Sequence, residues 1–203
     1  MKIIFLDIDG VLNAESDVLW PDGRSKKNGP RCRTRSGYSY TGISQRRVAR
    51  LKRIVDATGA KIVLTSSWKT YYLLYLKGDD DDHIGKYLVN ALSRKKLKIF
   101  DTTANFETTG SIKRGWAIVA YLKDWGRRHP DNPIEGMAIL DDEEFDYERV
   151  GLTDWLIKTE YYFHDEIEPG LTDDDVEKAI KTIANENLKG KIKSVLEKNE
   201  NIA

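Results

Sequence analysis

The stretch Ile3–Asn13, "IIFLDIDGVLN", decides the fold. Ile3, Ile4, Phe5 and Leu6 form an unbroken apolar run of the kind found in a strand covered on both faces, and such strands belong to parallel sheets. Parallel sheets bind ligands at the carboxyl ends of their strands, and there stand Asp7 and Asp9. Side chains alternate along a strand, so two aspartates spaced by two set out in the same direction, toward one small volume. Two like charges that close are costly unless a cation or a shared proton joins them. The pair asks for a metal. Asp9 followed by Gly10 is also a common turn pair, but a mere turn leaves the preceding apolar strand and a second acid pair at Asp141 and Asp142 without a reason.

Outward from this strand, apolar runs alternate with helical patterns. A polar, Gly-rich stretch covers 14–42. Ile43, Val48, Leu51, Ile54 and Val55 then fall on one helical face, with Ser44 near the start and Gly59 as a stop. "KIVLTSS" reads as a second strand and "WKTYYLLYL" as a helix after it. "HIGKYLVNALSRKK" is helical and leads to a third strand, "LKIFDTT". A fourth helix, "RGWAIVAYLKDWGRR", precedes a fourth strand, "MAILDD", and "WLIKTE" is a fifth. Two amphipathic helices close the chain, "TDDDVEKAIKTIANENL" and "GKIKSVLEKN". Strands alternating with helices predict right-handed crossovers and a Rossmann-like three-layer α/β/α sandwich on a mainly parallel five-stranded sheet. The expected organisation is one domain over 1–203, with a basic flap at 14–42 and C-terminal helices at 171–203.

Composition narrows the function classes. The 203 residues carry 33 Lys plus Arg against 33 Asp plus Glu, so no bulk charge suggests a nucleic-acid or membrane coat. Cys32 stands alone, which excludes an internal disulfide framework and fits a reducing compartment. No signal-peptide pattern opens the chain and no apolar run approaches the roughly 18 residues of a membrane span, so a soluble, cytoplasmic protein is expected. "GDDDDH", Gly78 to His83, lacks the spacing of a calcium loop and reads as a solvated turn and helix start. Trp68, Tyr71, Tyr72 and Tyr75 read as packing. His129 and His164 have no partners at metal-ligand spacing.

The chemistry gathers where strands end. Asp7 and Asp9 end the first, Thr65, Ser66 and Ser67 the second, Asp141 and Asp142 the fourth, with Asp146 shortly after; Lys113 and Arg114 begin the fourth helix. In a parallel sheet these distant positions meet along one edge. An acid pair, hydroxyls, a base and a second acid pair are the inventory of phosphoryl transfer.

With these motifs the chain resembles the haloacid dehalogenase-like (HAD) superfamily of phosphohydrolases from Lys2 to about Asp146 and on through the fifth strand. "DIDGV" is similar to the superfamily's DxD signature, "IVLTSS" to its hydroxyl-ended second motif, Lys113 before a helix to its lysine motif, and "DDEEFD" to its fourth, with Asp141 in place of the more usual glycine. "FLDIDGVLN" together with "IVLTSSW" also resembles a small capless branch that includes domains found in RNA-repair proteins.

The resemblance implies a mechanism. Asp7 is the expected nucleophile, giving an aspartyl-phosphate. Mg²⁺ is the expected cofactor, bound by Asp7, the backbone carbonyl of Asp9, and Asp142 or Asp141, the spacing to Asp146 favouring Asp142. Asp9 is the expected acid and base. Thr65 and Ser66 are expected on the phosphoryl oxygens and Lys113 as the neutralising cation, with Arg114 its main rival; Gly10 and Arg114 are assigned to substrate binding and Asp146 to orienting Lys113 or a water on the metal.

Neither insertion has room for a large cap, so an open site is expected. The flap carries Arg24, Lys26, Lys27, Arg31, Arg33 and Arg35 with no acid among them, and Trp20 with Tyr38 or Tyr40 offers rings to stack on a base. A nucleotide or nucleic-acid phosphate end is the leading substrate. A phosphoprotein or small-metabolite phosphatase, and a non-catalytic phosphate- or metal-binding protein of the same fold, stay open as alternatives. A response-regulator receiver would place its lysine after the fifth strand, whereas Lys113 precedes the fourth. A dehalogenase would need neither Asp9 nor the metal-binding acids.

Overall fold

Ile3, Ile4, Phe5 and Leu6 are fully buried in β1 (Lys2–Leu6), the middle strand of a five-stranded sheet. The computed structural model describes residues 1–19, 24–34, 37, 39–104, 107–108, 111–162 and 168–201. After β1 come α1 (Glu15–Val18), the hairpin strands β2 (Arg31–Arg33) and β3 (Ser39–Thr41), α2 (Gln45–Thr58), β4 (Lys61–Leu64), α3 (Lys69–Lys77), α4 (Ile84–Ser93) and β5 (Ile99–Thr102). A small hairpin, β6 (Glu107–Thr108) and β7 (Ser111–Ile112), leads into α5 (Arg114–Arg128) and β8 (Gly136–Asp141). The chain ends with α6 (Tyr147–Val150), a 3-10 turn at Thr153–Trp155, β9 (Leu156–Lys158), α7 (Asp173–Ala184) and α8 (Glu186–Lys198).

The sheet order is β5-β4-β1-β8-β9, and every pairing is parallel. From β1 the chain steps one way to β4 and β5, then returns past β1 to β8 and β9. With right-handed crossovers this reversal sends the later helix to the opposite face, and the crevice at the switch lies over β1. Burial follows the alternation along the strands. Ile4, Leu6, Ile62, Leu64, Ala138 and Leu140 pack with Val48, Leu51 and Ile54 of α2 and Leu88 of α4. Ile3, Phe5, Val63, Met137 and Ile139 pack with Ile118, Val119, Leu122 and Trp125 of α5. Val48, Leu51 and Ile54 are fully buried, each stabilising the fold by about 1.5–3 kcal/mol. Gly59 ends α2 as expected, at φ +68° with its N–H on the Val55 carbonyl.

Two expectations change. The helix read over 172–188 breaks at Asn185, whose backbone is extended and whose side-chain oxygen accepts the Asn187 N–H, so α8 starts at Glu186 and runs through Gly190. The break lets the two helices part: Val176, Ala179 and Ile183 of α7 join the first core, while Leu188, Ile192 and Val195 of α8 join the second. The stretch at 14–42, read as a basic flap, contains α1 and the β2–β3 hairpin. Trp20, Arg35 and Tyr38 lie outside the described residues. Among the described residues no large cap covers the sheet, and no helix is long and apolar enough to cross a membrane. The acidic run at Gly78–His83 leads into α4, whose first N–H groups at Gly85 and Lys86 donate to the Asp80 carboxylate.

Candidate active site

The parallel ladder continues past the strand ends. Asp7 N–H donates to Leu140 O (2.9 Å), Thr65 N–H to Leu6 O (2.9 Å), Thr103 N–H to Leu64 O (3.1 Å) and Thr159 N–H to Asp141 O (2.9 Å). These bonds set Asp7, Thr65, Thr103 and Asp141, from far-apart parts of the chain, along the carboxyl edge at the switch point.

One carboxylate oxygen each from Asp7, Asp141 and Asp142 lies within 4.8 Å of the others. Gly10 admits Asp142: it sits at φ +70°, and a Cβ there would fall 2.2 Å from Asp142 Cγ. The Gly10 carbonyl accepts from Thr159 Oγ1 (2.7 Å) and its N–H donates to Asn13 Oδ1 (3.1 Å), so its N–H is bonded within the loop and its carbonyl ties the loop to the end of β9. Asp141 is wholly buried; its Oδ2 accepts from Arg114 Nη1 (2.8 Å) and Tyr147 Oη (2.7 Å), its Oδ1 from Glu143 N–H (3.0 Å). With both oxygens of Asp141 engaged, Asp142 is the freer acid.

Arg114 is the cation of the cluster. Its Nη1 lies 2.7 Å from Asp7 Oδ1, and its guanidinium rests over the Phe145 ring, 4.4 Å from the centroid. The Arg114 N–H bonds are not aimed at Asp7 Oδ1, which is buried without a hydrogen bond among the described residues. Burial above all, with Asp141 and Asp9 nearby, pushes the Asp7 carboxyl up to about 8 against the pull of Arg114 and the Ser66 hydroxyl. Burial and the Asp141 charge raise Asp142 to about 6. Three carboxylates facing one guanidinium leave the cluster short of positive charge, and an oxygen-lined cluster of this kind fits a hard divalent cation. Thr65 Oγ1 is a second buried orphan beside Asp7, a donor without an acceptor among the described residues.

Sequence reasoning placed several residues here that the structure uses differently. Lys113 lays its ammonium over the Trp116 ring, 4.7 Å from the centroid, and Arg114, one residue on, lies against Asp7. Asp146 accepts the N–H groups of Gly115 (2.7 Å) and Trp116 (3.1 Å), capping α5 instead of orienting Lys113. The Asp9 side chain is not in the three-carboxylate group, because β1 ends at Leu6 and the chain turns at Ile8 before alternation can carry Asp9 back. Its Oδ1 accepts from Asn13 Nδ2 (2.8 Å) and its Oδ2 from Trp68 Nε1 (2.9 Å). Tyr147, Thr159 and Asn13 were missed; Asn13, four residues after Asp9, and Tyr147, directly after Asp146, stood close enough in sequence to be weighed. Lys69 is buried with its amine near Thr103 Oγ1 (3.3 Å) and Ala104 O (3.1 Å), another cation at this edge.

Beside Asp9 lies the hairpin, since Asn13 Nδ2 also donates to Thr41 O (3.2 Å) and Thr41 Oγ1 shares a hydrogen bond with Tyr161 Oη (3.1 Å). Arg31 and Arg33 are exposed on β2, and Tyr40 is exposed on β3.

A parallel sheet between helical layers, with acids at its switch point, is the architecture of a HAD-like domain, and HAD-like domains are in general of the hydrolase and phosphatase type. The family model "HAD domain in Swiss Army Knife RNA repair proteins" matches residues 3–176, and the chain belongs to that family. Searches of curated proteins and of solved structures give no match.

Proposed function

We propose that the protein is a Mg²⁺-dependent phosphomonoesterase that works through an aspartyl-phosphate on Asp7 and takes a nucleic-acid phosphate end as substrate. The convergence of Asp7, Asp141 and Asp142 within 4.8 Å, with Arg114 against Asp7, carries this reading. Asp7, Asp142 and the Asp9 carbonyl would hold Mg²⁺, with Asp141 next to them, and the ion would supply positive charge against which an anionic phosphate could meet a carboxylate. Asp7 attacks phosphorus, dividing one hard displacement into two easier ones. Asp9 gives a proton to the leaving oxygen and later takes one from the hydrolytic water. Thr65, whose hydroxyl is buried without an acceptor among the described residues, donates to a phosphoryl oxygen, with Ser66 beside Asp7. Arg114 replaces Lys113 as the residue that steadies Asp7 and neutralises developing charge.

The substrate class rests on the family's RNA-repair description, the lack of a large cap among the described residues, and the exposed Arg31 and Arg33 on the hairpin tied to Asn13. The test is phosphate release from 3′- and 5′-phosphorylated oligonucleotides, nucleoside monophosphates, sugar phosphates and phosphopeptides, with Mg²⁺ or EDTA, beside Asp7→Asn. Metal-dependent release from oligonucleotide ends, abolished in Asp7→Asn, is expected. Equal activity of Asp7→Asn overturns the nucleophile, and preference for a sugar phosphate or phosphopeptide overturns the substrate class.

A further inference from the structure

Asp9 is held from two sides by groups that can only donate. The Trp68 indole has one N–H and no acceptor, and that N–H reaches Asp9 Oδ2 at 2.9 Å. Asn13 could in principle turn its amide either way, but its Oδ1 accepts the Gly10 N–H, so its Nδ2 must face outward, to Asp9 Oδ1 at 2.8 Å and Thr41 O. Both anchors are themselves fixed. Asn13 is fully buried, and Trp68, 5 % exposed, stands at the start of α3 with its backbone N–H donating to Ser66 Oγ (3.3 Å). Each carboxylate oxygen of Asp9 keeps a second lone pair, and the two anchors set the plane in which those lone pairs lie.

We infer that Trp68 and Asn13 are positioning residues for Asp9, fixing the direction along which it delivers its proton. The inference rests on the reading of Asp9 as proton donor. In the step concerned, an Asp7 oxygen forms a bond to phosphorus, the phosphorus–oxygen ester bond breaks with its electron pair going to the leaving oxygen, and the Asp9 carboxyl proton moves to that oxygen. An alkoxide leaving group needs this proton, while p-nitrophenolate departs without it. A misaligned Asp9 therefore harms alkyl esters selectively. Trp68 also belongs to the hydrophobic core, and Phe at this position keeps most of that packing while removing the donor.

The test compares kcat/KM on adenosine 3′-monophosphate and on p-nitrophenyl phosphate for wild type, Trp68→Phe, Asp9→Asn and the double variant. Trp68→Phe is expected to lose roughly 10- to 30-fold on the nucleotide and no more than about threefold on the aryl ester. In the Asp9→Asn background Trp68→Phe is expected to add no further loss on the nucleotide, because Trp68 acts through Asp9. An equal loss on both esters, or a full additional loss in the double variant, overturns the positioning role. If Asp9→Asn itself shows no leaving-group selectivity, the proton-donor reading fails instead. A second readout needs no turnover: the indole N–H resonance of Trp68, assigned by its disappearance in Trp68→Phe, is expected to move upfield in Asp9→Asn as its acceptor loses charge. A resonance indifferent to Asp9→Asn overturns the contact.

Discussion

Asp142 occupies the space that a side chain at Gly10 would need: a Cβ on Gly10 would fall 2.2 Å from Asp142 Cγ, at a backbone φ of +70°. The glycine of "DIDG" is thus what lets the acid of β8's end approach the loop after β1. Gly10→Ala is expected to cost about 1–2 kcal/mol of stability through the left-handed backbone alone. By displacing Asp142 it should also weaken Mg²⁺ binding about tenfold or more. Thermal melts with a Mg²⁺ titration measure both effects.

Arg114 and Lys113 are neighbours with different fates, and substitution should separate them. Arg114→Ala is expected to lower kcat about 10²–10³-fold, the scale for removing one preorganised donor. Lys113→Ala forfeits its contact with the Trp116 ring, about 0.5–1 kcal/mol of stability, and should keep turnover within roughly threefold. Steady-state rates on any accepted phosphomonoester decide it, and a larger loss at Lys113 than at Arg114 would restore the lysine assignment.

Metal removal should give stability a particular pH dependence. Asp7 is held at about 8 in the metal-free fold against an ordinary value of 3.8, so the folded state keeps a proton that the unfolded chain has lost. Stability of the metal-free protein therefore falls as pH rises from about 4 to about 8 and then levels. Asp142, raised to about 6, adds to the decline over the lower part of that window. Asp7→Asn is expected to flatten the curve, and saturating Mg²⁺ to lift the alkaline end. Melting temperatures in EDTA and in Mg²⁺ across this range check the sign.

Arg47 ties α1 to the far end of the chain: its guanidinium pairs with the Asp17 carboxylate and donates to Pro169 O and Ser16 Oγ. Both side chains of the pair are largely out of solvent. Arg47→Ala leaves Asp17 buried and unpaired and is expected to cost about 3–5 kcal/mol. Neighbouring Arg46, 70 % exposed in its pair with Glu168, should cost no more than about 1 kcal/mol. Denaturant unfolding of the two variants makes the comparison.

Elements whose burial is written into local pattern were legible in the sequence. The apolar run of β1 and the 3.6-residue periodicity of α2 and α5 depend on which face meets the sheet, and the strand-end acids followed from the parallel topology. What stayed hidden depends on phase and on distant partners. Whether Lys113 or Arg114 enters the site is settled by one step of helical rotation at the start of α5, which periodicity resolves poorly at a terminus. That Asp146 caps α5 depends on a loop after β8 folding back over thirty residues of chain. Trp68 looked like packing because it is packing; its N–H finds Asp9 only once β4 stands beside β1.

The position of β1 in the middle of the sheet bears on how the protein is made. On the ribosome the strand that carries Asp7 is synthesised long before β8, yet Asp7 N–H is bonded to Leu140 O in the finished sheet. At 5–20 residues per second the wait is on the order of ten seconds. Throughout it the strand's Ile–Ile–Phe–Leu edge on that side has no partner, a template for pairing with other chains. The nascent protein should therefore lean on chaperones, and its catalytic activity should appear only after the last long-range strand has closed.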